Sequence, residues 1–524
     1  MEFTEVERER LTKLEVLRAQ GIDPYPPRAQ FIADRVMASE AIKLASTAST
    51  HDSSLVTNHE SRVTSHESVS IAVMGRIVAK RVMGKASFLG IEDGSGRIQF
   101  FARVGDDSIS KESFELLKEL DLGDFIEARG APMITKTGEP SLRVTAWNLL
   151  SKSISPLPLA KEEKQDDGST KRFSAFTNPE LRYRQRYADL AVNPEVREIF
   201  ITRAKLIKAL RDFLDGKGFL EVETPVLQPI YGGAAARPFV THHNQLDQDL
   251  FLRISFELYL KRLIVGNIER VYEIGRDFRN EGVSFKHNTE FTMLEFYAAY
   301  MDMHDVMNLT EEMIQFVAGR VLPPEAEGKS VFRGNTIEWL KPFARMTLRD
   351  AILQKTGLDY KQFPDLESLA DEVLARKLLT ADAIKGKPWG KIVDALIGDY
   401  VEKDLVSPTF LYEYPRDISP FAKSVPGDPN TVERFEGFIG GAELLNAFSE
   451  LNDPIDQRQR FLAESANADE GEANPVDDDF VRSLMYGMPT TGGFGMGIDR
   501  LVMMFTGKDS IREVLLFPAL RKEE

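Results

Sequence analysis

Cysteine is absent from the 524 residues. That excludes disulfides, thiolate zinc sites and cysteine nucleophiles together, and it fits a reducing compartment. Long apolar runs are missing as well, so nothing approaches the length that crosses a bilayer. The start, Met1-Glu-Phe-Thr-Glu-Val-Glu-Arg8, is charged and lacks the apolar core of a secretory signal. A cytoplasmic protein that does not enter a membrane is expected. Histidine is scarce, at seven, and three of these (His51, His59, His66) fall in the Ser-, Thr- and Asn-rich stretch from Ala45 to Ser68. Their spacing suits no common ligand pattern, so a polar loop is expected there. Basic residues are outnumbered, 66 to 82, for a formal charge of -16. This argues against a general nucleic-acid binder but leaves room for a local basic face. The length suggests two or three domains.

What is present centres on Phe291-Thr-Met-Leu-Glu-Phe-Tyr297 and the loop before it, Arg279-Asn-Glu-Gly-Val-Ser-Phe-Lys-His-Asn288. Strand alternation puts Phe291, Met293, Glu295 and Tyr297 on one face and Thr292, Leu294 and Phe296 on the other. A carboxylate, a phenol and a phenyl ring on one face suit the floor of a ligand site. An amphipathic strand whose Glu295 meets solvent has the same pattern. The segment Arg270–Phe278 alternates well enough to be the antiparallel partner, which makes the unit a hairpin with a charged loop.

Upstream, Glu5–Gln20 has helical periodicity, with Val6, Leu11, Leu14 and Leu17 on one stripe, and Asp23-Pro-Tyr-Pro-Pro27 ends it. From Val69 to Leu150 the chain reads as a small β-domain. It has strands at 69–79, 87–92, 97–104, 124–134 and 141–150, and a helix at 111–120. Five strands and one helix fit an OB-fold barrel, whose sheet face binds oligonucleotides. Phe88 and Phe101 are outward rings that suit base stacking, flanked by Gln99 and arginines. Cover by another domain explains such rings equally well. Residues 151–178 read as a linker. Asn193, Pro194 and Glu195 open a long helix whose buried stripe is predicted as Val196, Phe200, Ala204, Ile207 and Leu214. A strand over Phe219–Pro225 follows.

Two further stretches carry chemistry. In Arg434-Phe-Glu-Gly-Phe-Ile-Gly-Gly-Ala-Glu443 and Leu444–Glu450, the side chains Glu436, Glu443 and Glu450 fall on strands around a Gly-Gly corner. Clustered carboxylates repel unless cations balance them, and magnesium takes one or two of them plus substrate phosphates. A solvated acidic edge is the plainer alternative. Near the end, Gly492-Gly-Phe-Gly-Met-Gly-Ile-Asp-Arg500 runs glycines into an apolar helix with Arg500 in its first turn. Residues 334–426 show no assignable chemistry.

Phe278-Arg-Asn-Glu-Gly282 with His287–Tyr297 resembles motif 2 of class II aminoacyl-tRNA synthetases, the helix and Phe219–Pro225 resemble motif 1, and Gly492–Phe505 resembles motif 3. The closest likeness is to the lysyl-tRNA synthetases of bacterial type, from about Val69 to the C-terminus. The resemblance implies an α+β multidomain fold, an N-terminal OB-fold β-barrel followed by a class II antiparallel sheet flanked by helices. The segments are 1–68 (helix and polar loop), 69–152 (anticodon-binding), 153–180 (linker) and 181–524 (catalytic).

It also implies a homodimer and a two-step reaction in which L-lysine and ATP give lysyl-adenylate, which then charges tRNA(Lys), with Mg2+ as cofactor. By the family's pattern Arg279 grips the α-phosphate and the substrate carboxylate, and Arg500 holds the γ-phosphate. Glu436 and Glu443 carry magnesium, Phe291 stacks under adenine, and Glu281, His287 and Asn288 border it. Glu295, Tyr297 and Glu450 form the ε-ammonium pocket. Gly233 and Glu257 take the α-amino group, and Asn446 and Phe448 shape the carboxylate end. Phe88 and Phe101 stack on anticodon bases that Gln99 and Glu127 read. The chain departs from the pattern at Ser255-Phe256, where relatives carry Ala-Pro, at Ala442, where they carry Arg, and at Leu444-Leu445. The alternatives are a synthetase-like paralogue that lysylates a protein and a non-catalytic RNA-binding protein. Such paralogues lack the OB domain, and a non-catalytic protein has no need to retain Arg279, Arg500 and the acidic pair.

Overall fold

The computed structural model describes residues 2–52, 70–106, 108–159, 161–164, 170–173, 176–467 and 475–522. Contacts divide the chain into two units, Met1–Arg182 with Tyr187–Val192, and Tyr183–Arg186 with Asn193–Glu524. Among the described residues no helix is long and apolar enough to cross a membrane.

The first unit opens with helices α1 (Glu5–Ala19) and α2 (Ala38–Asp52). Strands β1 (Ile71–Met83), β2 (Ala86–Asp93) and β3 (Gly96–Arg103) follow, then α3 (Lys111–Lys118), β4 (Phe125–Ile134) and β5 (Pro140–Ser151). The strands close a barrel in the order β1-β2-β3-β5-β4. Ile98, Phe100 and Ala102 fill its interior, as alternation in β3 requires. Ala45–Asp52 is helical, since it continues α2, so a polar composition there did not mean a loop. Residues 53–68, with His59 and His66, lie outside the described residues. In the expected linker, β6 (Lys161–Lys164) and β7 (Thr170–Phe173) pair as an antiparallel ribbon.

Short helices α4 (Pro179–Arg184) and α5 (Arg186–Val192) precede the long α6 (Pro194–Gly216). The second unit continues with β8 (Leu220–Glu221), β9 (Leu227–Gln228), β10 (Val240–His243), β11 (Gln248–Leu252), α7 (Glu257–Val265), β12 (Arg270–Phe278) and β13 (Glu290–Ala299). After α8 (Met303–Val321) come β14 (Lys329–Phe332), β15 (Asn335–Glu338) and β16 (Ala344–Thr347). A helical insertion follows, α9 (Leu348–Thr356), α10 (Leu366–Ala375), α11 (Ala381–Ile384) and α12 (Trp389–Leu396). The chain ends through β17 (Thr409–Pro415), β18 (Ser424–Val425), β19 (Asp428–Ile439), β20 (Ala442–Ser449), α13 (Pro454–Asn467), α14 (Asp478–Met485), β21 (Thr491–Gly497), α15 (Ile498–Thr506) and α16 (Ile511–Val514).

Nine strands form one sheet, ordered β16-β17-β19-β20-β21-β13-β12-β8 with β18 on β19. It is antiparallel through its middle and parallel at both ends, β16 with β17 and β8 with β12. β13 therefore lies between its hairpin partner β12 and the glycine-rich β21. Leu294 and Phe296 point into the core, where Phe296 stacks on Phe494 at 4.5 Å. Two expectations are corrected. The strand after α6 is only β8, because Glu273 on β12 binds the Thr224 amide and hydroxyl and turns the chain away. On α6, Val196 and Leu214 are buried as expected, and the stripe between them is Ile199, Leu206, Leu210 and Phe213. Its spacing of seven, four and three holds one helical face, whereas Phe200 and Ile207 are half-buried on the flank and Ala204 is exposed.

Candidate active site

The open side of β13 and its neighbours forms the floor of a cleft of about 1290 Å³. That exceeds an ordinary small-molecule pocket and has room for a nucleotide beside an amino acid. Phe291, Met293, Glu295 and Tyr297 all line it, with Gly233, Ser255, Glu257, Arg279, Glu281, His287 and Asn288 around them. The Arg279 guanidinium lies over the Phe291 ring, 5.0 Å from its centre. Next to it, Asp277 is buried with no hydrogen bond to either oxygen and is pushed up to about 7 by burial, against the pull of Arg279 and Arg253. The Asn288 amide is engaged with the Glu290 carbonyl and the Ala519 amide, so its backbone is what borders the cleft.

Glu295 does not meet solvent; it is 5% exposed. Its Oε1 accepts the Ser255 hydroxyl at 2.9 Å and the Phe256 N–H at 3.4 Å, and its Oε2 accepts the Tyr297 hydroxyl at 3.2 Å. Burial pushes Glu295 up to about 8, helped by the charges of Asp277 and Glu257, while the Ser255 and Phe256 donors pull it down. Glu257 and Glu450 are placed differently from expectation. Both are buried and both form ion pairs with Lys261, which has no exposed side-chain surface. Burial alone would lower Lys261, but the two carboxylates outweigh it and raise it. Burial raises Glu257 and Glu450 against the pull of the same ammonium. Phe421, Phe448 and Phe480 surround that ammonium, at 4.8, 5.6 and 5.9 Å.

Glycines make this packing possible. A Cβ on Gly493 would fall 1.8 Å from Glu450 Oε1 and 2.7 Å from the Tyr297 ring. Gly233 has a φ of +87°, and its Cβ would meet Ser255 and Glu257 at about 3 Å. The run in β21 thus clears space for neighbouring side chains, and only Gly495 and Gly497 face the cleft.

At the other end, Arg500 donates to the Glu443 carbonyl at 2.7 Å and its carboxylate lies 3.4 Å away. Arg500 also depresses His287, after burial the largest cause, which keeps that imidazole neutral. Glu436 sits behind the surface, bound by Arg434 at 2.6 Å and the Tyr414 hydroxyl at 2.9 Å. Burial pushes it up to about 7, and the neighbouring Glu443 charge adds to this while Arg434 opposes it. Arg434 also holds the Asn446 side-chain oxygen at 2.8 Å. Among the described residues no three acidic or histidine side chains are clustered to hold a metal. Glu443 lines the cleft, while both Glu436 oxygens are taken by Arg434 and Tyr414, so Glu443 is the carboxylate placed to meet magnesium, which completes its shell with phosphate and water.

Sequence reasoning missed Lys261, Arg434, the insertion's share of the wall, including Lys361 and Trp389, and Arg416 just after β17. The one available signal for Lys261 was its spacing of four from Glu257, which ordinarily marks a surface helix pair.

On the barrel, Phe88 and Phe101 are cross-strand neighbours with ring centres 5.2 Å apart, and Arg81 lies over Phe88. Gln99 is half-buried and donates to Ser141 at 2.9 Å. Glu127 is corrected. It is fully buried, and its carboxylate binds the Gln30 and Phe31 amides and the Asn148 side chain, so it braces the barrel and displays no free edge.

Residues 178–521 match the tRNA synthetases class II (D, K and N), and residues 71–150 match the OB-fold nucleic acid binding domain. The chain is 47% identical to the lysine–tRNA ligase of Dehalococcoides mccartyi (strain ATCC BAA-2266 / KCTC 15142 / 195) over 98% of its own length and 97% of that protein. It is 48% identical to the lysine–tRNA ligase of Roseiflexus castenholzii over the full length of both, and 45% identical to that of Pelotomaculum thermopropionicum, over all of this chain and 96% of that protein. The fold, the cleft and these full-length likenesses agree: the chain belongs to the lysine–tRNA ligases of the class II tRNA synthetases.

Proposed function

We propose that the chain joins L-lysine to tRNA(Lys) with ATP, through a lysyl-adenylate, releasing AMP and pyrophosphate. The observation that carries this is the charge pattern of the cleft floor. Lys261 pairs with Glu257 and Glu450, and Glu295 is the third buried acid, so with Glu295 ionised the floor carries two negative charges beside the positive Arg279. Lysine offers two ammonium groups and one carboxylate, the matching set. A buried charge needs a partner of opposite sign, so an acidic amino acid does not fit this floor. The OB-fold match disfavours the protein-lysylating paralogue, and the intact floor disfavours a non-catalytic RNA binder.

In this reading Arg279 binds the lysine carboxylate and the α-phosphate, which brings nucleophile and phosphorus together. Phosphoryl transfer needs this positioning and charge neutralisation more than a protein nucleophile. Phe291 supports adenine, bordered by Glu281 and the His287–Asn288 backbone, and Arg500 meets the γ-phosphate. Glu295 and Tyr297 take the ε-ammonium, with Glu450 behind them, and Gly233 and Glu257 face the α-amino group. Asn446, held by Arg434, and Phe448 close the amino-acid end. Glu443, with Glu436 behind it, would hold magnesium. Bound there, the ion supplies charge that offsets the phosphates. Residues 69–152 carry anticodon recognition through Phe88, Phe101 and Gln99, and residues 181–524 carry catalysis.

We also assign a cytoplasmic location and a homodimer. Exposed apolar side chains on the second unit support the dimer: Ile201 on α6, Leu220 on β8, Leu227 on β9 and Val240 on β10.

Pyrophosphate–ATP exchange across all twenty amino acids, without tRNA, tests the reading. Lysine alone should support exchange. Exchange with aspartate or asparagine would refute the floor, and none with any amino acid would refute the activity. Charging of tRNA(Lys) by Phe101→Ala should then fall roughly ten-fold or more, the loss of one stacked base, while exchange stays at the parent rate.

A further inference from the structure

The three acids of the floor are not equivalent. Lys261 pairs with Glu257 and Glu450. Among the described residues no cation pairs with Glu295, although it is as buried as they are. Neutral donors hold it instead: the Ser255 hydroxyl at 2.9 Å, the Phe256 amide at 3.4 Å and the Tyr297 hydroxyl at 3.2 Å. Two of these come from one dipeptide ahead of α7, and both depend on residue type. Alanine in place of Ser255 has no hydroxyl, and proline in place of Phe256 has no N–H. Ser255 is itself fixed. It is 6% exposed, its oxygen accepts the Glu257 amide at 3.1 Å, and the Gly233 backbone closes over it.

We propose that Ser255, aided by the Phe256 amide, is a positioning residue for lysine selection, aiming the Glu295 carboxylate at the substrate's ε-ammonium and easing its ionisation when lysine binds. A carboxylate taken out of water is stabilised as an anion by hydrogen bonds to that anion. With both donors on Oε1 and the phenol on Oε2, rotation of the group is opposed, and Oε2 keeps acceptor capacity in a residue that lines the cleft. The substrate ammonium then meets an oriented acceptor, so less ordering is required at binding. The inference rests on Glu295 serving the side-chain pocket.

The test is lysine- and ATP-dependent exchange kinetics on the full-length protein for Ser255→Ala, Glu295→Gln and the double variant, from pH 6 to 9. Ser255→Ala should raise KM for lysine roughly ten-fold, the scale of one hydrogen bond to a charged group, and leave KM for ATP near the parent value. The pH above which lysine affinity levels off should move upward. In the Glu295→Gln background the same change should add nothing. Equal losses for lysine and ATP, an unshifted pH profile, or a full effect in the Glu295→Gln background would overturn the role of Ser255. If instead Glu295→Gln alone leaves KM for lysine unchanged, the pocket assignment itself falls, which separates the two failures.

Discussion

At the scale of single residues, the cleft works by proton and charge balance. Glu295 is pushed up to about 8 by burial, so near neutral pH the empty protein mostly carries it protonated. The ε-ammonium of lysine stays charged well past that pH. Binding the ammonium favours the carboxylate, so a proton must leave as lysine enters. Lysine affinity should therefore rise with pH from about 6 and level off above about 8. Calorimetry of lysine binding in buffers of different ionisation enthalpy checks this. It should find close to one proton released at pH 7 and almost none at pH 9; no buffer dependence at pH 7 would refute it. The alternation that brings Phe291, Met293, Glu295 and Tyr297 together was legible from sequence, because it depends only on a strand's two-residue period. Lys261 was not, because a lysine four residues after a glutamate looks like a solvated pair until the surrounding strands are folded over it.

At the scale of elements, β21 shows what its glycines do. Gly493 lies opposite Tyr297 on β13 and Phe448 on β20, and the side chains of Tyr297 and Glu450 occupy the space it leaves empty. Gly493→Ala would put a methyl group onto Glu450 and Tyr297. Overpacking of this kind costs about 1–3 kcal/mol. We expect a lower thermal midpoint and a larger loss in lysine than in ATP affinity, read by thermal denaturation with each ligand added. A variant with unchanged lysine affinity would show that the two side chains have room to move. Sequence gave the glycine-rich strand but not the direction in which its space opens, since that depends on which strands flank it. The stripe of α6 was right at Val196 and Leu214 and off by a partial rotation between them. The apolar residues Phe200 and Ile207 lie on its flank, and the sequence does not say which of two adjacent apolar faces meets the sheet.

At the scale of the whole molecule, the exposed Leu220, Leu227 and Val240 sit on β8, β9 and β10. They lie close together in sequence, and exposed apolar side chains in one stretch of chain suit an interaction surface. Val240→Asp should shift the sedimentation coefficient from dimer toward monomer and make exchange activity depend on protein concentration. A parent protein that sediments as a monomer at all concentrations would refute the dimer. The barrel was readable from turn signals and strand counts, whereas the large sheet of the second unit was expected only from the resemblance of its motifs. The ribbon at 161–173 was not, since its charged composition carries no alternation of apolar residues.

The internal ammonium has a consequence for accuracy. The chain builds one lysine into its wall before it chooses another from solution, so the choice follows a rule of parity: two positive groups for the two charges left over once Glu295 has given up its proton. An amino acid with a neutral side chain breaks parity, and it can restore it only if Glu295 keeps its proton. Acid makes that easier and alkali makes it harder. Mistakes toward neutral side chains should gather at the acidic end of the working range, so the fidelity of reading lysine codons inherits a dependence on the acidity of the cell.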